Sequence, residues 1–134
     1  MAITFDNDFL NNLFEQARTN PRLRQNFDLR NSEYDTSQRM LNALLPGTVV
    51  PIHRHEATAE TVVCLFGKLD EVIYEALPSA LGLGATEYRE VQRIRLAPAE
   101  GVYGCQIPQG AWHTVEVVEP SVIFEAKDGA YIPR

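Results

Sequence analysis

Two rhythms of apolar and polar positions divide this chain. Phe9, Leu10, Leu13, Phe14 and Ala17 recur at three- and four-residue intervals, which gathers them on one face of a helix over residues 6–18. Asp6 stands where an N-cap belongs, and Thr19-Asn20-Pro21 ends the segment because proline cannot continue it. The expected role of this helix is a lid or a dimer brace packed on the rest. From about residue 26 the pattern changes to short strand-like runs, over 26–30, 37–45, 48–53, 59–66, 69–75, 88–96, 103–107, 113–118 and 121–127. Turn chemistry separates them: Pro46-Gly47, Gly67-Lys68, Pro98, Gly101, Pro108-x-Gly110 and Glu119-Pro120. Many short strands in one unit predict an all-β antiparallel sandwich or barrel. Residues 1–25 then form a helical extension and 26–134 the barrel domain, with the small-residue stretch 76–86 an excursion at its mouth.

Composition narrows the function classes. The 134 residues suffice for one core, and 45% hydrophobic with 22% charged residues is ordinary for a globular protein. Twelve Lys and Arg against eighteen Asp and Glu give a net charge of −6, with no basic cluster to follow a phosphate backbone, so no nucleic-acid partner is expected. Arg18, Arg22 and Arg24 are diluted by acidic neighbours and read as surface. Asp6 and Asp8 stand where a secretory signal needs positive charge, and no run approaches eighteen apolar residues. Cys64 and Cys105 alone make no disulfide framework. The expectation is a soluble cytoplasmic protein with no membrane partner.

The chemistry lies in the histidines. All three fall in one pattern: Gly47, five residues to His53, then Arg54 and His55, four residues to Glu60, six more to Gly67, and separately Pro108-Gln109-Gly110-Ala111-Trp112-His113. On a strand His53 and His55 project together, because residues two apart share a face. A rigid Pro-x-Gly turn is a means of aiming His113 at them. Three imidazoles and a carboxylate suit one divalent transition-metal ion, whether Fe, Mn, Ni, Co, Cu or Zn, and leave two octahedral positions for substrate, water or dioxygen.

Gly47-x5-His53-x-His55-x4-Glu60-x6-Gly67 resembles the first motif of the cupin superfamily at every position, and Pro108-x-Gly110-x2-His113 resembles the core of its second. In that second motif the preceding glycine sits one residue early, as Gly101, and the customary final asparagine is Val117. The resemblance implies a double-stranded β-helix, a jelly-roll-like antiparallel barrel, with His53, His55, Glu60 and His113 as metal ligands on its inner wall. Pro21-Arg22-Leu23-Arg24, Ser37-Gln38-Arg39-Met40-Leu41-Asn42-Ala43-Leu44, Pro51-Ile52-His53-Arg54-His55 and Phe124-Glu125-Ala126-Lys127-Asp128-Gly129-Ala130-Tyr131 carry a finer resemblance, to the WbuC family of cupin-fold metalloproteins. Its members occur among bacterial surface-polysaccharide genes, which implies a link to sugar metabolism.

Arg39, Tyr103 and Trp112 are candidate substrate contacts, Arg39 on the strand face opposite Gln38 and Asn42, the two aromatics flanking the His113 turn. Cys64 shares the face of Glu60 if the strand is regular, yet both cysteines read best as small buried hydrophobes. Glu125 and Lys127 read most simply as a solvated or interstrand pair. Two functional readings follow. One is a metal-dependent enzyme on a small polar or sugar-related substrate, an isomerase if the ion is a Lewis acid or an oxygenase if it is iron. The other is a non-catalytic barrel that binds or senses a small molecule. Barrels of this type commonly pair, so a homodimer is expected.

Overall fold

In the computed structural model, which describes residues 1–78 and 86–133, helix α1 spans Asn7–Thr19. Its first turn is closed by Asp6, whose carboxylate accepts from the Phe9 N–H at 2.9 Å. Leu13, Phe14 and Ala17 face inward and pack on Leu41, Ala43 and Val122. Full burial of Leu13 and Phe14 is worth about 1.5–3 kcal/mol each, so the apolar stripe suffices to dock the helix.

The strands among the described residues are β1 (Arg24–Asp28), β2 (Ser37–Leu44), β3 (Glu60–Leu77), β4 (Glu87–Leu96), β5 (Gly104–Ile107) and β6 (Trp112–Asp128). They pair antiparallel in the order β1-β2-β6-β3-β4, with β5 on β3. A short 3-10 helix, Pro98–Glu100, joins β4 to β5. The result is the expected all-β jelly-roll-like barrel with one short helix. The excursion expected at 76–86 falls for the most part on residues 79–85, outside the described residues.

Three strand expectations change. The runs 59–66 and 69–75 are one strand, β3, and 113–118 and 121–127 are likewise one strand, β6. These two pair from Glu60↔Lys127 to Tyr74↔Trp112, with register shifts confined to the stretch Cys64 to Leu69. Gly67 makes that possible: it sits at φ +93°, and a Cβ there would come within 2.2 Å of the Pro120 carbonyl oxygen. The turn signals therefore mark a bend through which the ladder continues. Residues 48–53 are not a strand; only His53 forms an isolated bridge, to His113. Pro51 lacks the N–H a ladder needs, and the segment is held instead by side chains, with Arg24 Nη1 donating to the Val49 carbonyl at 2.8 Å and Thr114 Oγ1 to that of Val50 at 2.5 Å.

Directly paired residues share a face, so the ladder sorts the barrel interior into tiers. Lowest is an apolar plug of Leu44, Val62, Cys64, Leu69, Leu96 and Ile123. Beside and above it Asn42, Glu71 and Glu125 line the cavity, Asn42 paired with Ile123 and Glu125 with Val62, and at the mouth come Glu60, Lys127 and His113. The outer face of β3, β4 and β6 is ionic, where Asp70 receives Arg93 at 3.0 Å and Arg95 at 2.6 Å. No helix among the described residues is long and apolar enough to cross a membrane.

Candidate metal centre

His53 and His113 meet through their backbones: the His53 N–H donates to the His113 carbonyl at 3.0 Å and the His113 N–H returns the bond at 2.8 Å. The Pro108-x-Gly110 turn is clamped to the same loop. The Gly110 N–H, at φ +79° where glycine is favoured, donates to the His55 carbonyl at 2.8 Å, and Gln109 Nε2 donates to the Glu56 carbonyl at 2.7 Å. Four backbone and side-chain bonds thus hold the two motif segments together before any ligand is considered.

The imidazoles converge. Ring centroids lie 4.3 Å apart for His53 and His113, 5.1 Å for His53 and His55, and 5.4 Å for His55 and His113. One ring nitrogen from each of the three lies within 4.8 Å of the others. Nδ1 of His53 sits 2.9 Å from the Pro51 carbonyl and Nδ1 of His113 2.9 Å from that of Ala111. A carbonyl only accepts, so each Nδ1 carries the proton and each Nε2 presents a lone pair. The Nε2 atoms of His55 and His113 are buried with no hydrogen-bond partner among the described residues, although Glu60 Oε2 lies 2.9 Å from the first. Three imidazoles gathered in one place, those of His53 and His113 oriented by backbone carbonyls and that of His113 with an unpartnered Nε2, fit the needs of a borderline metal ion. The three histidines could hold one.

Glu60 is 3% exposed at the mouth of β3, with Oε1 4.0 Å from His113 Nε2 and Oε2 3.2 Å from Lys127 Nζ. Burial raises its pKa, but the adjacent His55 and the Lys127 ammonium outweigh that and bring it to about 2. It is therefore a carboxylate, with oxygens beside two of the imidazoles. Burial lowers the pKa of His113, and its Nδ1 bond to Ala111 offsets this only in part.

A cavity of about 1050 Å³ opens over these residues. Of the other candidates, Trp112 lines it, with Arg54 stacked 4.6 Å above its ring and Tyr88 against it at 5.2 Å. Arg39 lies on the opposite face of β2 from the cavity-lining Gln38 and Asn42, donating to the Leu29 carbonyl at 3.0 Å and to Asp35 at 3.2 Å. Tyr103 is 62% exposed on the outside and does not line the cavity. Cys64 packs in the apolar plug and its Sγ donates to the Phe66 carbonyl at 3.3 Å. Burial pushes the thiol of Cys64 up, and that of Cys105 up to about 12, so both are inert packing groups.

Glu125 and Lys127 are not a solvated pair. Their register against Val62 and Glu60 turns both into the barrel, where Lys127 pairs with Glu60 and burial pushes Glu125 up to about 7. Glu71, 3% exposed, is a further inward acid that sequence reasoning passed over. Its signal was present: it alternates with Leu69 and Ile73, an acid on the apolar face of a strand.

Fold and site together define a cupin-fold protein. The chain belongs to the family described as Domain of unknown function (DUF6016), whose model matches residues 5–80. No curated protein matches it by sequence. Among solved structures, TT1209 from Thermus thermophilus is similar at 25% identity, over 96% of this chain and 98% of that one, with a TM-score of 0.59. Oxalate oxidase in complex with the substrate analogue glycolate is similar at 18% identity over 84% of this chain, TM-score 0.56; the match spans about half of that enzyme, 54%. KdgF from Halomonas sp. is similar at 18% identity, over 84% of this chain and 85% of that one, TM-score 0.55.

Proposed function

We propose that His53, His55, Glu60 and His113 hold one divalent transition-metal ion, and that the metal-loaded barrel is an enzyme acting on a small polar or sugar-related substrate. The observation that carries this is the set of three converging imidazoles, with the Nε2 of His113 unpartnered and that of His55 facing only Glu60, at the mouth of a cavity of about 1050 Å³. When bound, the ion would supply Lewis-acid polarisation of a substrate oxygen, or dioxygen chemistry if it is iron. The chain's own residues do the rest. The Pro51 and Ala111 carbonyls fix the tautomers of His53 and His113. Lys127 holds Glu60 in place and ionised. Trp112, braced by Arg54 and Tyr88, supplies a flat apolar wall on which a sugar ring could stack.

Four protein ligands leave positions open on an octahedral ion, which favours turnover over a structural role, because structural sites tend to be closed. Fold neighbours that are enzymes, oxalate oxidase among them, lend support. The resemblance to the WbuC family further suggests a place in bacterial surface-polysaccharide metabolism, in the cytoplasm and as a homodimer. The test is elemental analysis of untagged protein alongside the His53→Ala/His55→Ala variant, with folding checked by circular dichroism. Near-stoichiometric metal in the wild type and none in a folded variant is expected; equal metal in both would sink the assignment.

A further inference from the structure

Below the histidines the cavity continues into a tier that the metal centre does not use. Glu71 faces inward on β3, one tier under His113, since Glu71 pairs with Val115 and Ile73 with His113. The residue is almost wholly buried and lines the cavity, and its carboxyl group has no hydrogen bond or ion pair among the described residues. Burial holds its pKa well above the ordinary carboxyl value, with Glu125 and Glu60 adding to the effect. Across the barrel, Asn42 Nδ2 donates to Glu125 Oε1 at 3.3 Å, while Asn42 Oδ1 is buried with no partner. Lys127, the ammonium that faces this space, is engaged by Glu60.

An unpartnered carboxyl group and an unpartnered amide oxygen on facing walls of one cavity are both costly to keep. Leucine or methionine at either position would continue the apolar plug beneath. The groups match a ligand rather than the fold. A carboxyl group accepts hydrogen bonds in either protonation state, and an amide oxygen accepts, which is the complement of hydroxyl donors.

We propose that Glu71 and Asn42 form an inner subsite for the hydroxyl groups of a polyhydroxylated ligand whose other end lies at the histidines. The second half of that statement rests on the metal-dependent reading above; the first half does not. Substrate choice then lies in this inner tier, and the mouth supplies the chemistry.

The test is calorimetric titration of D-gluconate, hexanoate and 6-aminohexanoate into Mn(II)-loaded wild type, Glu71→Leu and Glu71→Gln. Gluconate should bind wild type at least about tenfold more tightly than hexanoate, the discrimination expected when a site built for hydroxyls meets an analogue without them. Glu71→Leu should erase that preference without changing hexanoate affinity, and Glu71→Gln, which also accepts, should keep most of it. Because Glu71→Leu removes an unpaired buried group, its Tm in the absence of ligand should rise by about 3 °C. Should that variant fail to fold, Asn42→Leu carries the same comparison from the opposite wall. Equal affinities for gluconate and hexanoate in wild type would overturn the proposal. So would tightest binding of 6-aminohexanoate, or a Glu71→Leu variant with lowered Tm and all affinities reduced together. If the protein takes up none of Mn(II), Fe(II), Co(II), Ni(II), Cu(II) or Zn(II), the metal reading fails by itself. Sorbitol binding to the chelator-treated protein, read by ligand-observed NMR, then decides the subsite: binding lost in Glu71→Leu supports it, and no binding in wild type overturns it.

Discussion

Glu60→Gln separates the two roles of the carboxylate at the mouth. Glu60 and Lys127 have side chains only 4% and 12% exposed and sit 3.2 Å apart, and the Lys127 ammonium stands second only to the His55 contact in offsetting the desolvation of Glu60. Removing the charge from Glu60 leaves an ammonium inside the barrel without its anion. Breaking a buried pair on one side costs about 3–5 kcal/mol, whereas replacing both partners by neutral groups of similar volume is close to neutral. The amide oxygen of the new glutamine can still accept one hydrogen bond from Lys127, which places Glu60→Gln near the lower limit, about 3 kcal/mol. For a domain of this size that corresponds to a fall in Tm of about 10 °C. Glu60→Gln/Lys127→Met removes both charges and should recover most of that loss. Metal retention should not recover, because the anionic oxygen beside His55 and His113 is gone in both variants. The assay is thermal unfolding of the two single variants, the double variant and wild type, all after chelator treatment, with metal uptake measured in parallel. A double variant no more stable than Glu60→Gln would refute the pairing argument. Full metal retention by the double variant would refute the place of Glu60 in the ligand set.

Two further outcomes follow from the fold. Asp70 is held below its ordinary pKa chiefly by Arg95 and then, against burial, by Arg93, so its stabilisation is fully present above the unfolded-state value and is lost as pH falls through the folded-state one. Asp70→Asn should therefore cost about 1–2 kcal/mol near pH 7, discounted for the partial exposure of both arginines, and the gap to wild type should narrow in urea unfolding as pH falls below the ordinary aspartate range; a gap independent of pH would remove the ion pairs from the account. Gly67→Ala places a Cβ within 2.2 Å of the Pro120 carbonyl at a positive φ, where backbone and not a flexible side chain must yield. It should lower stability by about 3 kcal/mol or more, and an unchanged urea midpoint in the Gly67→Ala variant would show that the β3–β6 bend tolerates a side chain.

Much of this was legible in residue order. Helix α1 follows from three- and four-residue spacing and its aspartate cap, which are local properties, and the spacing and cap survive into the structure within a residue. Turn signals at Gly67 and Pro120 were read as ends of strands, yet β3 and β6 run through them, because hydrogen bonding across two bent strands is a pairwise property that neither segment reveals alone. Register decided the rest. Arg39 and Asn42 are equally polar neighbours on one strand, and only the pairing of β2 with β6 turns Asn42 into the cavity and Arg39 towards Leu29 and Asp35. The same pairing turns Glu125 and Lys127, expected as a solvated or interstrand pair, into the barrel.

By itself, then, the sequence determined which chemistry is available: three imidazoles and a carboxylate at spacings that a strand and a rigid turn can present, on a chain whose alternation demands a β-barrel. The tertiary structure alone decided how that chemistry is surrounded. It seats Lys127 on Glu60, turns Glu71 into the cavity, leaves Asn42 Oδ1 unpaired, and excludes Tyr103 from the cavity. The physical reason is that a ligand set can be written as short-range spacing, whereas the face a residue takes depends on strand register, and one position of slip in a period-two structure reverses every side chain.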